Sequence, residues 1–103
     1  MTIATKEKKY TENEIKIMLQ SSNYAVERGI AAIYKYQTDT EKDHGETISR
    51  NNVGFSAFHA SRASYYARWI NSGKHLSGDH IEKGRRIILH YVKQLTKISN
   101  NEI

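Results

Sequence analysis

The sequence contains neither cysteine nor proline, and it has no long apolar run. Without cysteine there is no disulfide framework, thiolate zinc site, iron–sulfur cluster or cysteine nucleophile, and a reducing compartment fits. No stretch approaches the roughly 18 apolar residues of a membrane span, and no apolar segment follows the basic residues 1–10 as in a secretory signal. We therefore expect a cytoplasmic protein with no membrane partner.

The positive charge is concentrated in the second half of the chain. The net charge is +5. Residues 61–103 contain eight Lys and Arg side chains against three Asp and Glu side chains. A basic half favours an anionic partner, most commonly nucleic acid. The alternative is that this charge aids solubility only.

Hydrophobic periodicity predicts four helices and no strand of comparable length. The first begins at Thr11, the second runs from the Ser21-Ser22-Asn23 interruption to about Gln37, and the third spans roughly 56–71. The fourth starts near Ser77 or Asp79 and continues to about Ser99. Thr11 with Glu14, and Asp79 with Glu82, have the spacing of a capping box. A chain of 103 residues supports one core. We expect an all-α, compact four-helix domain over 11–99, with a flexible basic segment at 1–10 and a frayed tail at 100–103.

Two glycines, Gly29 and Gly84, fall inside the predicted helices. Each costs its helix about 1 kcal/mol relative to alanine. They either permit two helices to cross closely or mark breaks. We favour close crossing, because each glycine lies beside the apolar stripe of its own helix.

Residues 38–54 are polar and acidic, which predicts a long, structured loop between the second and third helices. The loop closes with Asn51-Asn52-Val53-Gly54-Phe55. Asn and Gly tolerate positive φ, so a sharp turn would deliver Phe55 into the core. Gln37, Asn52, Gly54 and Phe55 are therefore the expected structural residues of the loop and its turn.

Cationic side chains line one face of the predicted fourth helix, opposite its apolar stripe. They are spaced 3, 4, 3 and 4 residues apart, and no acidic residue interrupts them. Like charges at this spacing repel, so the stripe is typical of a surface that follows phosphates; a solvated face is the alternative. The stripe consists of Lys83, Arg86, His90, Lys93 and Lys97.

Aromatic residues are interleaved with Arg62 and Arg68 on the predicted third helix. Such rings could stack unpaired bases while the arginines hold phosphates. A small core also needs its large side chains. We therefore expect one of Tyr65 and Tyr66 to be partly exposed, and we expect the other one to be buried together with Phe55, Phe58 and Trp69.

The five histidines and the acidic loop give no metal-site spacing, since no His-x-x-x-His or His-Glu-x-x-His occurs. The serines lack a nucleophile-elbow context, and no glycine-rich phosphate loop follows a strand. We expect no catalytic residue, no metal and no cofactor. An enzyme built on the acidic loop would need converging side chains, which sequence alone does not demonstrate.

Several short motifs resemble a small helical module of phage-related and bacterial genomes. They are Ala25-Val26-Glu27-Arg28, Ile33-Tyr34-x-x-Gln37-Thr38-x-x-Glu41, Asn52-Val53-Gly54-Phe55, Gly73-Lys74-His75-Leu76-Ser77 and Tyr91-Val92-Lys93-Gln94-Leu95. The resemblance covers residues 14–98. Where that group reads Asp-Ala, this chain has His59-Ala60. The group stands alone or accompanies helicase-like proteins, which implies DNA transactions.

These observations favour a non-enzymatic nucleic-acid-binding accessory protein that is phage- or mobile-element-related. DNA is favoured over RNA, and a helicase or another replication or recombination protein is the expected protein partner; a homodimer is left open. The predicted phosphate contacts are Arg62, Arg68, Lys83, Arg86, His90, Lys93 and Lys97. The rival hypothesis is a protein-interaction module, such as a phage-encoded inhibitor of a host protein, which would present an exposed apolar patch.

Overall fold

The computed structural model describes residues 9–44 and 54–100, with side chains described for 9–37 and 54–100. This part of the chain is all-α, as predicted, and contains no strand. No helix within it is long and apolar enough to cross a membrane. The helices are α1 (Glu12–Ser21), α2 (Asn23–His44), α3 (Ala57–Asn71), α4 (Asp79–Ile88) and α5 (Val92–Ser99), with a 3₁₀ turn at Leu89–Tyr91 between the last two.

Local side-chain hydrogen bonds set where α1 and α2 begin. The Glu14 amide donates to the Thr11 hydroxyl at 3.1 Å, and the Thr11 amide donates to the Glu14 carboxylate at 3.0 Å. The capping box predicted at Thr11 is therefore confirmed. Ser22 separates the first two helices, and its hydroxyl accepts from the Ala25 amide at 3.1 Å. These bonds satisfy amides that have no partner within a helix.

Helix α2 continues to His44, so the prediction that residues 38–44 belong to a loop is wrong. The low hydrophobicity of this segment suggested a loop. The segment contains neither proline nor glycine, however, so no helix-breaking residue ends α2 before His44. Residues 45–53 of the predicted loop, including Asn52, lie outside the described residues.

The structure of the segment predicted as the fourth helix differs from the prediction in two ways. Gly78, with a φ of +58°, is the residue that precedes α4, and Asp79 is already helical, so the predicted capping box at Asp79 is wrong. The Leu89–Tyr91 turn then separates α4 from α5. A 3₁₀ turn has about 3.0 residues per turn instead of 3.6, so it changes the angular register of the side chains that follow.

Helix α2 is the centre of the domain, because it contacts each of the other four α-helices. Val26, Ile30 and Ile33 on its inner stripe have no exposed surface. Ile88 on α4 is equally buried, and Leu95 on α5 is nearly so. Complete burial of a Val or Ile side chain contributes about 1.5–3 kcal/mol. The core is therefore built by packing the other four helices onto α2.

The glycines inside the helices lie at the crossing of α2 with α4 and α5. A Cβ atom added to Gly29 would lie 3.0 Å from Leu95 Cδ1 and 3.1 Å from Ile88 Cγ1. One added to Gly84 would lie 3.1 Å from Ile30 Cδ1 and 3.3 Å from Leu76 Cδ1. The predicted close crossing is confirmed, since each glycine gives space to side chains of the facing helix.

Asn100 joins the two ends of the described chain. Its side-chain oxygen accepts from the Tyr10 amide at 2.7 Å, and its side-chain nitrogen donates to the Tyr10 carbonyl at 2.9 Å. Both backbone polar groups of Tyr10 are thus satisfied by one side chain. The segments 1–8 and 101–103 of the predicted flexible ends lie outside the described residues.

Substitutions at Gly84 should distinguish tight packing from backbone preference. Gly84→Ala gains helix propensity of about 1 kcal/mol but crowds Ile30, so its free energy of unfolding should stay close to that of the parent. Gly84→Leu has no room for its side chain and should lose about 1–3 kcal/mol or more. Urea denaturation of the three proteins measures both effects. Equal stability of the leucine variant and the parent would contradict the close crossing.

Candidate functional site

The inner face of α3 consists of small residues and Tyr66, and its other large rings lie on the outer face. Ala63 and Ala67 are fully buried against the core, together with Tyr66, which is 2% exposed. Small side chains allow α3 to lie close to α2, and this leaves no room for further large rings on the inner face. The outer rings occupy positions 58, 65 and 69, which share one helical face at spacings of seven and four residues.

Two burial predictions for α3 are therefore wrong. Phe58 is 90% exposed and Trp69 is 37% exposed, although both were expected in the core. Burial of a phenylalanine side chain contributes about 1.5–3 kcal/mol to the free energy of unfolding, and most of that contribution is absent at Phe58 because its side chain is exposed. Phe55 is buried, and of the tyrosine pair Tyr66 is buried while Tyr65 is 52% exposed, as predicted.

The cations of α4 have two different environments. Lys83 and Arg86 are exposed on the outer face. Arg85 lies inward, where its Nε donates to the Leu19 carbonyl at 2.8 Å and its Nη1 to the Glu82 carboxylate at 2.8 Å. Arg85 thus holds α4 against α1. Lys83 and Arg86 have no ion pair within the described part of the chain.

A groove of about 740 Å³ separates the outer faces of α3 and α4. We call it the cationic groove. Its charged side chains are Arg62 from α3 and Lys83 and Arg86 from α4, and no Asp or Glu is among the described residues that line it. Its lining consists of Phe58, His59, Ser61, Arg62, Tyr65, Tyr66, His80, Lys83, Arg86, Ile87 and His90.

The structure therefore brings together four of the seven residues predicted to contact phosphates: Arg62, Lys83, Arg86 and His90. Arg68, Lys93 and Lys97 are exposed but do not line the groove. The last two follow the 3₁₀ turn, where the register of the helical face changes. The cationic surface is thus a groove between two helices and, beyond it, separate lysines on α5.

A cluster of polar and aromatic groups forms the end of the groove near the start of α3. His59 Nδ1 lies 2.7 Å from the Tyr91 hydroxyl, and the His59 and His90 ring centroids are 5.1 Å apart. Partial burial lowers the pKa of His59, and the neighbouring His90 lowers it further. These two effects favour the neutral form of His59 beside Tyr91.

Tyr66, also on α3, contacts α4 through its hydroxyl. The hydroxyl lies 3.2 Å from His80 Nδ1. Burial raises the pKa of Tyr66, and the positive charge of Arg62 offsets part of that rise.

Three side chains position the segment that leads into α3. The Gly54 amide donates to Gln94 Oε1 at 3.0 Å, the Phe55 amide to Gln37 Oε1 at 2.8 Å, and the Ser56 amide to the Tyr91 hydroxyl at 3.0 Å. Gly54 has the positive φ expected of it, +149°. These bonds satisfy three consecutive backbone donors and thereby fix the start of α3 beside His59.

Glu27 fixes the segment that follows α3. It is a buried carboxylate, 6% exposed, and it accepts from the Leu76 amide at 2.7 Å and lies 3.0 Å from His75 Nδ1. These contacts tie the connection between α3 and α4 to α2. Sequence reasoning quoted Glu27 only as part of a motif and assigned it no role.

Sequence reasoning also missed Phe58, His59 and His80 as groove residues. The available signal was the spacing of Ala60, Ala63 and Ala67, which places small residues on one face of α3 and predicts that this face packs inward. No pattern within one helix indicates which α4 side chains lie opposite the outer face of α3.

No three His, Asp or Glu side chains converge as possible metal ligands in the part of the chain that the structure describes. Comparisons of the chain with protein-family models, with curated proteins and with solved structures find no match. A proposal for the function therefore rests on the geometry of the groove.

The lowered pKa of His59 predicts how stability depends on pH. The unfolded histidine has a pKa of about 6.5, above that of the folded state, so the unfolded chain binds more protons as the pH falls through this value. The contribution of neutral His59 is fully present above that pH and is lost on acidification. Urea denaturation should show a larger loss between about pH 7.5 and 5.5 for the parent than for His59→Asn.

The variant His90→Asn is the control for this measurement, since it removes only the second cause of the shift. Its loss of stability on acidification should lie between those of the parent and His59→Asn. The same pH dependence in all three proteins would contradict the assigned burial of His59.

Proposed function

We propose that this protein is a non-enzymatic nucleic-acid-binding accessory protein, and that the cationic groove is its contact surface. The observation that supports this most is the groove between α3 and α4, where Arg62, Lys83 and Arg86 converge and no described lining residue carries a negative charge. Phosphate groups are the ligands that such an array of guanidinium and ammonium groups binds best.

The electrostatics of the chain support the same function. The net charge of +5 attracts a polyanion over a distance, and the groove concentrates cations at one place on the surface. Like charges placed together on adjacent helices cost stability, which a ligand phosphate would recover. Lys93 and Lys97 on α5 would add outer contacts for a longer nucleic acid.

We base two further parts of the proposal on the resemblance of the sequence motifs to the module found beside helicase-like proteins. These are the choice of DNA over RNA, and a phage or mobile-element role with a helicase-like partner. Both parts are separate from the groove geometry. Competition between DNA and RNA oligonucleotides of the same sequence tests the first part, with tighter binding of DNA expected.

Binding should weaken with salt in proportion to the number of phosphates contacted. Three cations in the groove predict a slope of about −2 to −3 for log K against log salt, from about 0.7–0.9 per phosphate. Fluorescence anisotropy with labelled DNA, titrated at several salt concentrations from ~50 mM upward, measures it. No binding at ~50 mM salt and micromolar protein would remove the proposal.

Charge reversal should separate the groove from the rest of the basic surface. Lys83→Glu with Arg86→Glu places two carboxylates in the groove and should lower DNA affinity by more than about tenfold. Lys93→Glu with Lys97→Glu changes the net charge by the same amount outside the groove and should have a much smaller effect. All four positions are exposed, so stability should change by only about 0.5 kcal/mol per site.

The outcome of this comparison locates the interface. Equal losses in the two double variants would assign binding to the whole outer face of α4 and α5. Unchanged affinity in both would make the charge a solvated surface. Thermal melting of each variant confirms that it is folded before its affinity is compared.

A second candidate function, protein recognition, has a surface of its own. A groove of about 530 Å³ between α1, α2 and α5 is lined largely by apolar side chains and bordered by exposed Met18 and Tyr24. Because it shares no lining residue with the cationic groove, Met18→Lys should leave DNA affinity unchanged if DNA binds between α3 and α4. Loss of DNA binding in that variant would contradict the assignment of the DNA contact to the groove between α3 and α4.

A further inference from the structure

Exposed aromatic rings form one side of the cationic groove. Phe58 is 90% exposed and Tyr65 is 52% exposed, and both project from the outer face of α3 with Arg62 between them along the helix. Their Cα positions are seven residues apart, or about 10 Å along the axis. A phosphate-binding surface alone does not require these rings, so they need a separate explanation.

The rings extend into arrays at both positions. The Phe58 ring lies 5.1 Å from the His59 ring, which in turn lies 5.1 Å from His90, tilted by 36°. At the other position, Tyr65 lies 6.3 Å from Trp69 with a tilt of 38°. Phe58 and Tyr65 both line the groove and are exposed, whereas Trp69 does not line it and has Lys74 Nζ 4.3 Å from its ring centroid.

Two of the three cations lie on the facing side. Lys83 and Arg86 line the groove from α4, across from the rings of α3. One wall therefore offers aromatic rings with Arg62 between them, and the other offers only positive charge among its charged side chains. A nucleotide with a free base has the complementary arrangement, with a flat apolar face on one side and a charged phosphate on the other.

A duplex does not have this arrangement at its surface. Its base faces are covered by the neighbouring base pairs, and its outer surface presents phosphates and sugars together with base edges in the grooves. Exposed rings such as Phe58 and Tyr65 would gain no stacking partner from an intact duplex. Unpaired strands leave base faces accessible, and proteins that bind them combine a positively charged groove with aromatic side chains.

We propose that the cationic groove selects unpaired nucleic-acid strands, with bases stacked on Phe58 and Tyr65 and phosphates held by Arg62, Lys83 and Arg86. This inference rests on the proposed function and adds the form of the ligand. It assigns the two exposed rings to strand selection and the three cations to binding strength.

The test compares a fluorescently labelled 20-nucleotide DNA strand with the same strand annealed to its complement, using anisotropy at ~50 mM salt. The parent protein should bind the single strand more tightly than the duplex. Phe58→Ala and Tyr65→Ala should each lower single-strand affinity about five- to a hundredfold, the range expected for loss of one base stack. Duplex affinity should change less than twofold.

Tyr24→Ala is the matched control, because Tyr24 is 66% exposed on α2 and does not line the cationic groove. It should leave affinity for both ligands unchanged. Phe58→Leu keeps an apolar side chain but removes the ring, so it should lose single-strand affinity nearly as Phe58→Ala does. Since Phe58 is exposed, the melting temperatures of its variants should match that of the parent.

The possible outcomes separate this inference from the proposed function. Binding of neither ligand by the parent removes both. Equal or tighter binding of the duplex, or ring variants that bind the single strand as the parent does, overturns strand selection. If Lys83→Glu with Arg86→Glu still weakens binding in that case, the proposed function remains. Equal losses of affinity for the single strand and the duplex in the ring variants also overturn strand selection, because base stacking would then not be the cause.

Discussion

Helices α2 and α4 cross at Gly29 and Gly84, and the groove between α3 and α4 depends on this contact. Each glycine accepts side chains of the facing elements where a methyl group would crowd them. A glycine inside a helix costs about 1 kcal/mol, and here the cost is offset by the complete burial of Ile30 and Ile88 at the crossing. Because α4 lies so close to α2, its outer face is brought beside α3, which packs on the same central helix. The cationic groove is a result of that shared support.

Helix α2 also holds both flanks of α3. Near one end Gln37 accepts from the Phe55 amide, and near the other Glu27 accepts from the Leu76 amide. Neither bond involves the residues of α3 itself, so the helix is positioned by the segments before and after it. Its outer face takes no part in this packing and carries Phe58 and Tyr65, and its inner face packs through Ala63, Ala67 and Tyr66. Because the inner face of α3 packs on the core and the outer face carries the exposed rings, these rings do not disturb the packing of the core.

Local sequence patterns predicted the parts of this structure that depend on one helix at a time. The capping box at Thr11, the buried stripe that includes Val26 and the outward direction of the α4 cations all follow from spacing within a segment. The burial of Phe58 was predicted wrongly because it depends on the distance between α3 and α2, which one helix does not define. The groove itself pairs residues near 58–66 with residues near 80–90, and periodicity contains no information on that pairing.

The bonds between Asn100 and Tyr10 have a consequence for how this domain can be connected to other chains. Residues that are 90 positions apart meet within hydrogen-bond distance, beside α1 and α5 and away from the helices that line the cationic groove. A unit in which two such distant positions adjoin has its entry and exit at one place on the surface, so the part between them can be inserted into a surface loop of another protein with little distortion of either partner. Neither Tyr10 nor Asn100 lines the cationic groove, so an insertion through them would not occupy it. The same adjacency makes circular permutation feasible, with a linker between these two positions.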